Sequence, residues 1–186
     1  MGLTGEATPL EGLALVTPPR FGDARGFFAE SWSARLFEAV APGVEFVQDN
    51  HSLSERAGTV RGLHYQAPPH AQGKLVRCGR GALWDVAVDA RRGSPTYGAW
   101  FGAELTAANG RQLWIPAGFL HGFVSLEPLT EIVYKCTAFY APEADGAVRW
   151  DSCGIRWPDA VGADPVLSAK DAAAPAFADW TSPFES

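Results

Sequence analysis

Apolar positions along this chain come in short runs, often alternating with polar ones. The stretch from Ala82 to Asp89 is the clearest case: Trp84, Val86 and Val88 fall on one face of an extended chain, Asp85 and Asp89 on the other. It reads as a half-buried strand. The same reasoning predicts strands over 13–17, 26–31, 45–52, 59–66, 74–78, 99–105, 112–115, 122–126 and 131–139. The 20 glycines and 14 prolines supply the turns that so many short strands need. Helix is scarce. Ser33 can cap a short helix reaching Val40, where Pro42 and Gly43 stop it, and Ser168 can cap another that leads to Asp171. About ten strands without helical crossovers imply an all-β antiparallel sandwich, with the jelly roll as the leading arrangement. No internal repeat or low-complexity linker divides the chain, so residues 1–186 are read as one domain. Its last part, 155–186, is rich in Ala, Pro and Asp and is expected to wrap the domain as a tail.

Composition narrows the chemistry. A chain of 186 residues can bury roughly 70% of the surface that its unfolded form exposes, and needs no covalent staple. Cys78, Cys136 and Cys153 are odd in number and form no C-x-x-C spacing, which suggests neither a disulfide framework nor a zinc knuckle and suits a reducing cytoplasm. The apolar stretch 13–16 follows Glu6 and Glu11, lacks a basic flank, and is too short for a signal peptide. No apolar run approaches the roughly 20 residues of a membrane span. A formal charge of −6 argues against nucleic acid as a partner. Arg25, Arg61, Lys74, Arg77 and Lys170 can still gather around an anionic small molecule.

Val60-Arg61-Gly62-Leu63-His64-Tyr65-Gln66 puts a side chain that titrates near neutrality beside an anion-binding arginine. His64 is either a strand histidine with a structural role or a proton-transfer group. Arg61 and His64 differ by three, so strict alternation sends them to opposite faces unless a bulge at Gly62 re-aims one of them. Alternation places Gln48, Asn50 and Ser52 on one face and His51 on the other with Val47 and Leu53, so His51 is expected to be structural. His70 lies among prolines and reads as a loop residue. Gln48 and Asn50 form either an ordinary polar face or a pair of amides able to read hydroxyls or a base edge. His121 follows a strand end and turn, and Tyr134 sits on an alternating strand. Both have structural readings, though a phenol protonated at neutral pH can also donate a proton. Asp171 completes Ser168-Ala169-Lys170-Asp171, a capping-box pattern. There is no phosphate-binding P-loop and no G-x-G-x-x-G. His64 has no H-x-H partner, so a metal centre would need ligands from distant strands.

Together these segments resemble the dTDP-4-dehydrorhamnose 3,5-epimerase family. The match runs through Phe21-Gly22-Asp23-Ala24-Arg25-Gly26-Phe27-Phe28-Ala29-Glu30, Gln48-Asp49-Asn50, Arg61 to Gln66, Asp85 to Asp89, Ser94-Pro95-Thr96, Ile115 to Phe123, Tyr134-Lys135 and Leu167 to Asp171, nearly the whole chain in order. The resemblance implies a metal-free, cofactor-free cupin-type jelly roll, cytoplasmic and homodimeric, acting on a dTDP-sugar. It makes His64 the general base, Tyr134 the general acid, Asp171 the partner of His64, and Lys74 the stabiliser of the oxyanion. Arg25, Glu30, Gln48, Asp49, Asn50, Arg61, His121, Asp145 and Lys170 would bind the substrate. Asp145 stands where the family commonly has Glu in a Tyr-x-Pro-x-x-Glu-Gly segment, with Glu143 as the alternative carboxylate. The implied reaction inverts C3 and C5 of dTDP-4-dehydro-6-deoxy-D-glucose, whose C4 ketone acidifies both positions. Rival readings are a monofunctional 3- or 5-epimerase, a metal-dependent cupin oxygenase and a non-catalytic sugar-binding module.

Overall fold

The computed structural model describes residues 3–185. Its strands are β1 Thr4–Ala7, β2 Ala14–Thr17, β3 Arg20–Asp23, β4 Gly26–Ala29, β5 Gln48–Ser54, β6 Val60–Gln66, β7 Lys74–Arg80, β8 Ala82–Asp89, β9 Trp100–Thr106, β10 Gln112–Ile115, β11 Phe119–Ser125, β12 Thr130–Cys136 and β13 Asp145–Ala147. Two one-turn helices, α1 Ala34–Phe37 and α2 Ala169–Ala172, join them. A six-stranded sheet in the order β1-β2-β10-β7-β12-β5 faces a five-stranded sheet in the order β13-β6-β11-β8-β9, and β3-β4 forms a separate hairpin. Pairing within the sheets is antiparallel throughout, the jelly-roll sandwich that the alternating pattern predicts.

Between the sheets lie Leu15, Val76, Leu83, Leu105, Leu113, Ile115, Phe119, Phe123 and Ile132. Removing a fully buried member, as in Leu113→Ala, would cost about 2–5 kcal/mol through lost burial and a residual cavity. The strand over 82–89 differs from expectation, because it is buried on both faces. Asp85 and Asp89 lie inside the sandwich at zero exposure. Val86 and Val88 pack under Trp157, Phe177, Trp180 and Phe184 from the end of the chain, so an alternating strand has lost its solvent face to a covering segment. Asp89 is made tolerable inside by Arg91, Ser94 and Thr96, which hold its carboxyl at about 2 against the penalty of burial.

The strand expected over 131–139 ends at Cys136, since its neighbours β7 and β5 begin at Lys74 and Gln48, and beyond it only the Thr137 backbone still bonds across, to Gly73. The helix after Ser33 is one turn, and the Ser33 side chain does not cap it. Strands β1, β3 and β13 carry no alternation long enough to be read in advance.

Candidate active site

A pocket opens between the two sheets, lined by Gln48, Asn50, His64, Tyr65, Gln66, Gln72, Lys74, Tyr134, Tyr140, Asp145 and Lys170. The six-stranded sheet supplies Gln48 and Asn50 from β5, Lys74 from β7 and Tyr134 from β12. Pairing of Tyr134 with Asn50, and of Cys136 with both Lys74 and Gln48, puts these side chains on one inward face. His64 comes from β6, opposite His121 of β11.

The register on β6 slips between His121 and Phe123, so that His64 pairs with His121 while Arg61 pairs with Phe123. Arg61 and His64 therefore share a face despite their spacing of three, as a bulge at Gly62 allows. Gly62 has φ +126°, and a Cβ there would stand 2.6 Å from the Gly122 Cα, so no other residue fits. Arg61 is anchored by Ser54 Oγ and the Leu53 carbonyl.

Behind His64, α2 presents Asp171. Its Oδ1 lies 2.5 Å from His64 Nε2, and its Oδ2 accepts the Gly62 N–H at 3.4 Å. The Asp171 backbone N–H donates to Ser168 Oγ, so the capping pattern forms while the carboxylate itself goes to the histidine. Burial would raise the Asp171 carboxyl, yet the His64 bond and charge, with Ser168 and Gly62, hold it below the ordinary value. An ionised carboxylate can only accept, so Nε2 carries a proton, and in the neutral ring it is Nδ1 that holds the lone pair.

Opposite, desolvation lowers the Lys74 ammonium, and Lys170 adds to the effect, while Cys136, Asp85 and Asp145 oppose it. Its Nζ stands 5.9 Å from the centre of the Tyr134 ring. Burial raises the Tyr134 phenol, more than Arg61 and Asn50 pull it down, which keeps it protonated at neutral pH.

The remaining expected residues divide. Lys170 and Asp145 meet at the pocket mouth, Lys170 Nζ donating to Asp145 Oδ2 at 2.5 Å. Glu143 lies outside, beside His70. His121 is buried next to the pocket rather than on its wall, its Nε2 2.7 Å from Asp85 Oδ1. Burial lowers the His121 imidazole despite Asp85, and Lys74 and His64 add to that, so the ring is neutral. Arg61 is likewise not among the lining residues, and neither are three further expected contacts. Asp49 points to the opposite face of β5 and pairs with Lys135 at 3.0 Å, as its place between Gln48 and Asn50 requires. Arg25 and Glu30 belong to the β3–β4 hairpin and its exit, where Arg25 pairs with Asp23 in solvent and Arg20 ties the hairpin to the Ala107 and Ala108 carbonyls. His51 faces outward on Glu131.

Residues that the sequence did not single out also line the pocket. Gln66 Nε2 donates to the His70 and Phe139 carbonyls and its Oε1 accepts from the Ala141 N–H, while Gln72 holds the Ala138 carbonyl. These amides build the wall after β12, and only their place beside the His64 motif gave a signal. Among the described residues, no group of three His, Cys, Asp or Glu side chains is placed to hold a metal ion.

A family model described as dTDP-4-dehydrorhamnose 3,5-epimerase matches residues 7–179. A dTDP-4-dehydrorhamnose 3,5-epimerase from Sinorhizobium fredii is 52% identical over 173 residues, covering 92% of this chain and 88% of the relative. Among solved structures, the Legionella pneumophila dTDP-6-deoxy-D-glucose-3,5-epimerase in complex with dTDP-4-keto-L-rhamnose matches with a TM-score of 0.89 and 44% identity, covering 94% of this chain and 92% of that one. The Bacillus anthracis dTDP-4-dehydrorhamnose 3,5-epimerase with TDP and PPi bound gives 0.90 and 42%, covering 94% and 99%.

Proposed function

The chain belongs to the dTDP-4-dehydrorhamnose 3,5-epimerase family, and we propose that it converts dTDP-4-dehydro-6-deoxy-D-glucose to dTDP-4-dehydro-L-rhamnose by inverting C3 and C5. The observation that carries the mechanism is the His64–Asp171 pair on one wall of a pocket whose other wall presents Lys74 and Tyr134. His64 Nδ1 takes the proton from the carbon beside the C4 ketone, leaving an enolate. Asp171 fixes the tautomer and supports the imidazolium that forms. Lys74 donates to the oxyanion at O4, a preorganised charge in a partly dry site. Tyr134 returns a proton from the face opposite His64, and the centre inverts. The His64 proton then passes to water and Tyr134 regains one from water, and a second round at the other acidified carbon completes the product. No electron changes hands. Gln48 and Asn50 read sugar hydroxyls or the base, while Arg61 and Lys170 balance the diphosphate.

Arg25 and Glu30 fit this reading if a second copy of the chain delivers them. The β3–β4 hairpin carries Phe21, Phe27 and Phe28 exposed to solvent beside Arg25, a surface that suits a partner chain and supports a homodimer. The three cysteines are free, which agrees with a cytoplasmic site of action. Among the described residues no helix is long and apolar enough to cross a membrane.

Incubation with dTDP-4-dehydro-6-deoxyglucose in deuterated water tests the reading. Wild-type protein should place deuterium at C3 and C5 of the inverted product, whereas label at one carbon selects the monofunctional reading. Tyr134→Phe should lose most inversion while retaining some exchange with retention, because base and enolate stabiliser survive. Full inversion by Tyr134→Phe assigns the acid role elsewhere.

A further inference from the structure

Asp145 occupies an unusual place for an acidic side chain, at the mouth of a pocket read above as binding a diphosphate. It begins β13, which pairs with β6 so that Asp145 lies opposite Gln66 and Gly146 opposite Tyr65. A Cβ at Gly146 would meet the Tyr65 ring at 2.2 Å, so the backbone that bears Asp145 is seated directly on that ring. From this fixed base Asp145 Oδ2 accepts from Lys170 Nζ at 2.5 Å and from Tyr140 Oη at 3.3 Å. The Tyr140 N–H in turn donates to Gln48 Oε1 at 2.9 Å, and Gln48 Nε2 donates to Asn50 Oδ1 at 3.1 Å. A continuous chain of bonds thus crosses the pocket mouth from α2 to β5, and all five side chains line the pocket. Lys170 precedes Asp171 on α2, so the cation at the mouth and the carboxylate behind His64 are carried by one helical turn.

We propose that Asp145 is a latch, a positioning residue that holds Lys170 and Tyr140 across the pocket mouth and competes with a bound diphosphate for Lys170. It rests on the epimerase reading, which puts a nucleoside diphosphate in this pocket. A carboxylate and a phosphate compete for one ammonium, and the phosphate, with more charge and more acceptor oxygens, is the stronger partner. Freed of Lys170, Asp145 keeps the Tyr140 hydroxyl. The short side chain sets how tightly the latch holds. Asp145 therefore opposes anion binding, where a residue that simply contacts the nucleotide would favour it.

Calorimetric titration of dTDP and of inorganic pyrophosphate into wild-type, Asp145→Asn, Lys170→Met and the double variant tests this. Asp145→Asn should bind both ligands about threefold to tenfold more tightly, because the amide keeps the shape and removes the competing charge. The gain should vanish when Lys170 is already Met. Weaker binding by Asp145→Asn would make the carboxylate an ordinary nucleotide contact and overturn the latch, and so would an unchanged affinity. Failure of wild-type protein to bind dTDP at all would remove the epimerase reading and the latch with it, whereas normal dTDP binding with no gain in Asp145→Asn removes the latch alone.

Discussion

Two histidine–aspartate pairs stand beside each other in the sandwich, on directly paired positions of β6 and β11. Their bonds are alike, 2.5 Å for His64–Asp171 and 2.7 Å for His121–Asp85. Their surroundings are not. The His64 side chain keeps 33% of its surface accessible and looks into the pocket, while that of His121 keeps 8%. The Asp171 carboxylate has both oxygens engaged, by the ring and the Gly62 N–H. Asp85 Oδ2 is buried with no partner among the described residues. In the proposed mechanism the same two side chains make a base where one ring nitrogen stays open to a ligand, and a piece of interior scaffold where the ring is enclosed. A His–Asp distance by itself assigns neither role.

The largest separation should come from removing each ring. His64→Ala should lower kcat by roughly 10²- to 10⁴-fold, about 3–5.5 kcal/mol of barrier, as loss of a general base does. Steady-state rates on a variant shown folded by circular dichroism would check it, and near-normal turnover would put His64 in the same scaffold role as His121.

A smaller effect concerns Lys74, which faces His64 across the pocket. In the proposed mechanism Lys74 acts charged, and desolvation lowers its folded value, so activity should fall on the alkaline side below the value of a free lysine. Stability has the opposite slope there: it rises with pH between the depressed folded value and the ordinary one, because the unfolded chain binds that proton more tightly. Lys74→Arg, whose charge does not titrate in this range, should remove the alkaline limb from the pH–rate profile. A limb that stays in place belongs to another group.

The smallest effect on activity should follow Asp85→Asn. It leaves the pocket wall intact and alters only the bond beneath it, so kcat should change less than about tenfold. Stability should fall by about 1 kcal/mol in urea unfolding, the difference between a hydrogen bond to a carboxylate and one to a neutral amide. A collapse of kcat without loss of stability would bring His121 and Asp85 into the chemistry and erase the contrast.

Alternation made the pocket half legible. It put Gln48 and Asn50 on one face, located the strands carrying His64 and Lys74 within a residue or two of their ends, and ran the Tyr134 strand three residues too far. It also put Asp49 on the far face, where the structure has it, against the place that family resemblance assigned it. What alternation could not supply was long-range. The slip that turns Arg61 and His64 to one side depends on a glycine meeting Gly122 of another strand. The burial of Asp85 depends on a distant segment roofing the other face of β8. Asp171 had a sufficient local explanation as a cap, and nothing within its own segment points to a ring 107 positions earlier.

That separation has a temporal side. Synthesis runs from the N-terminus at roughly 5–20 residues per second, so His64 exists for about 5–20 s before Asp171 is made. During that interval the imidazole has no carboxylate to fix its tautomer, and Lys170 at the pocket mouth is also missing. The nascent protein can shape most of its sandwich before the His64–Asp171 pair can form, and one late helical turn brings that carboxylate and Lys170 into being together.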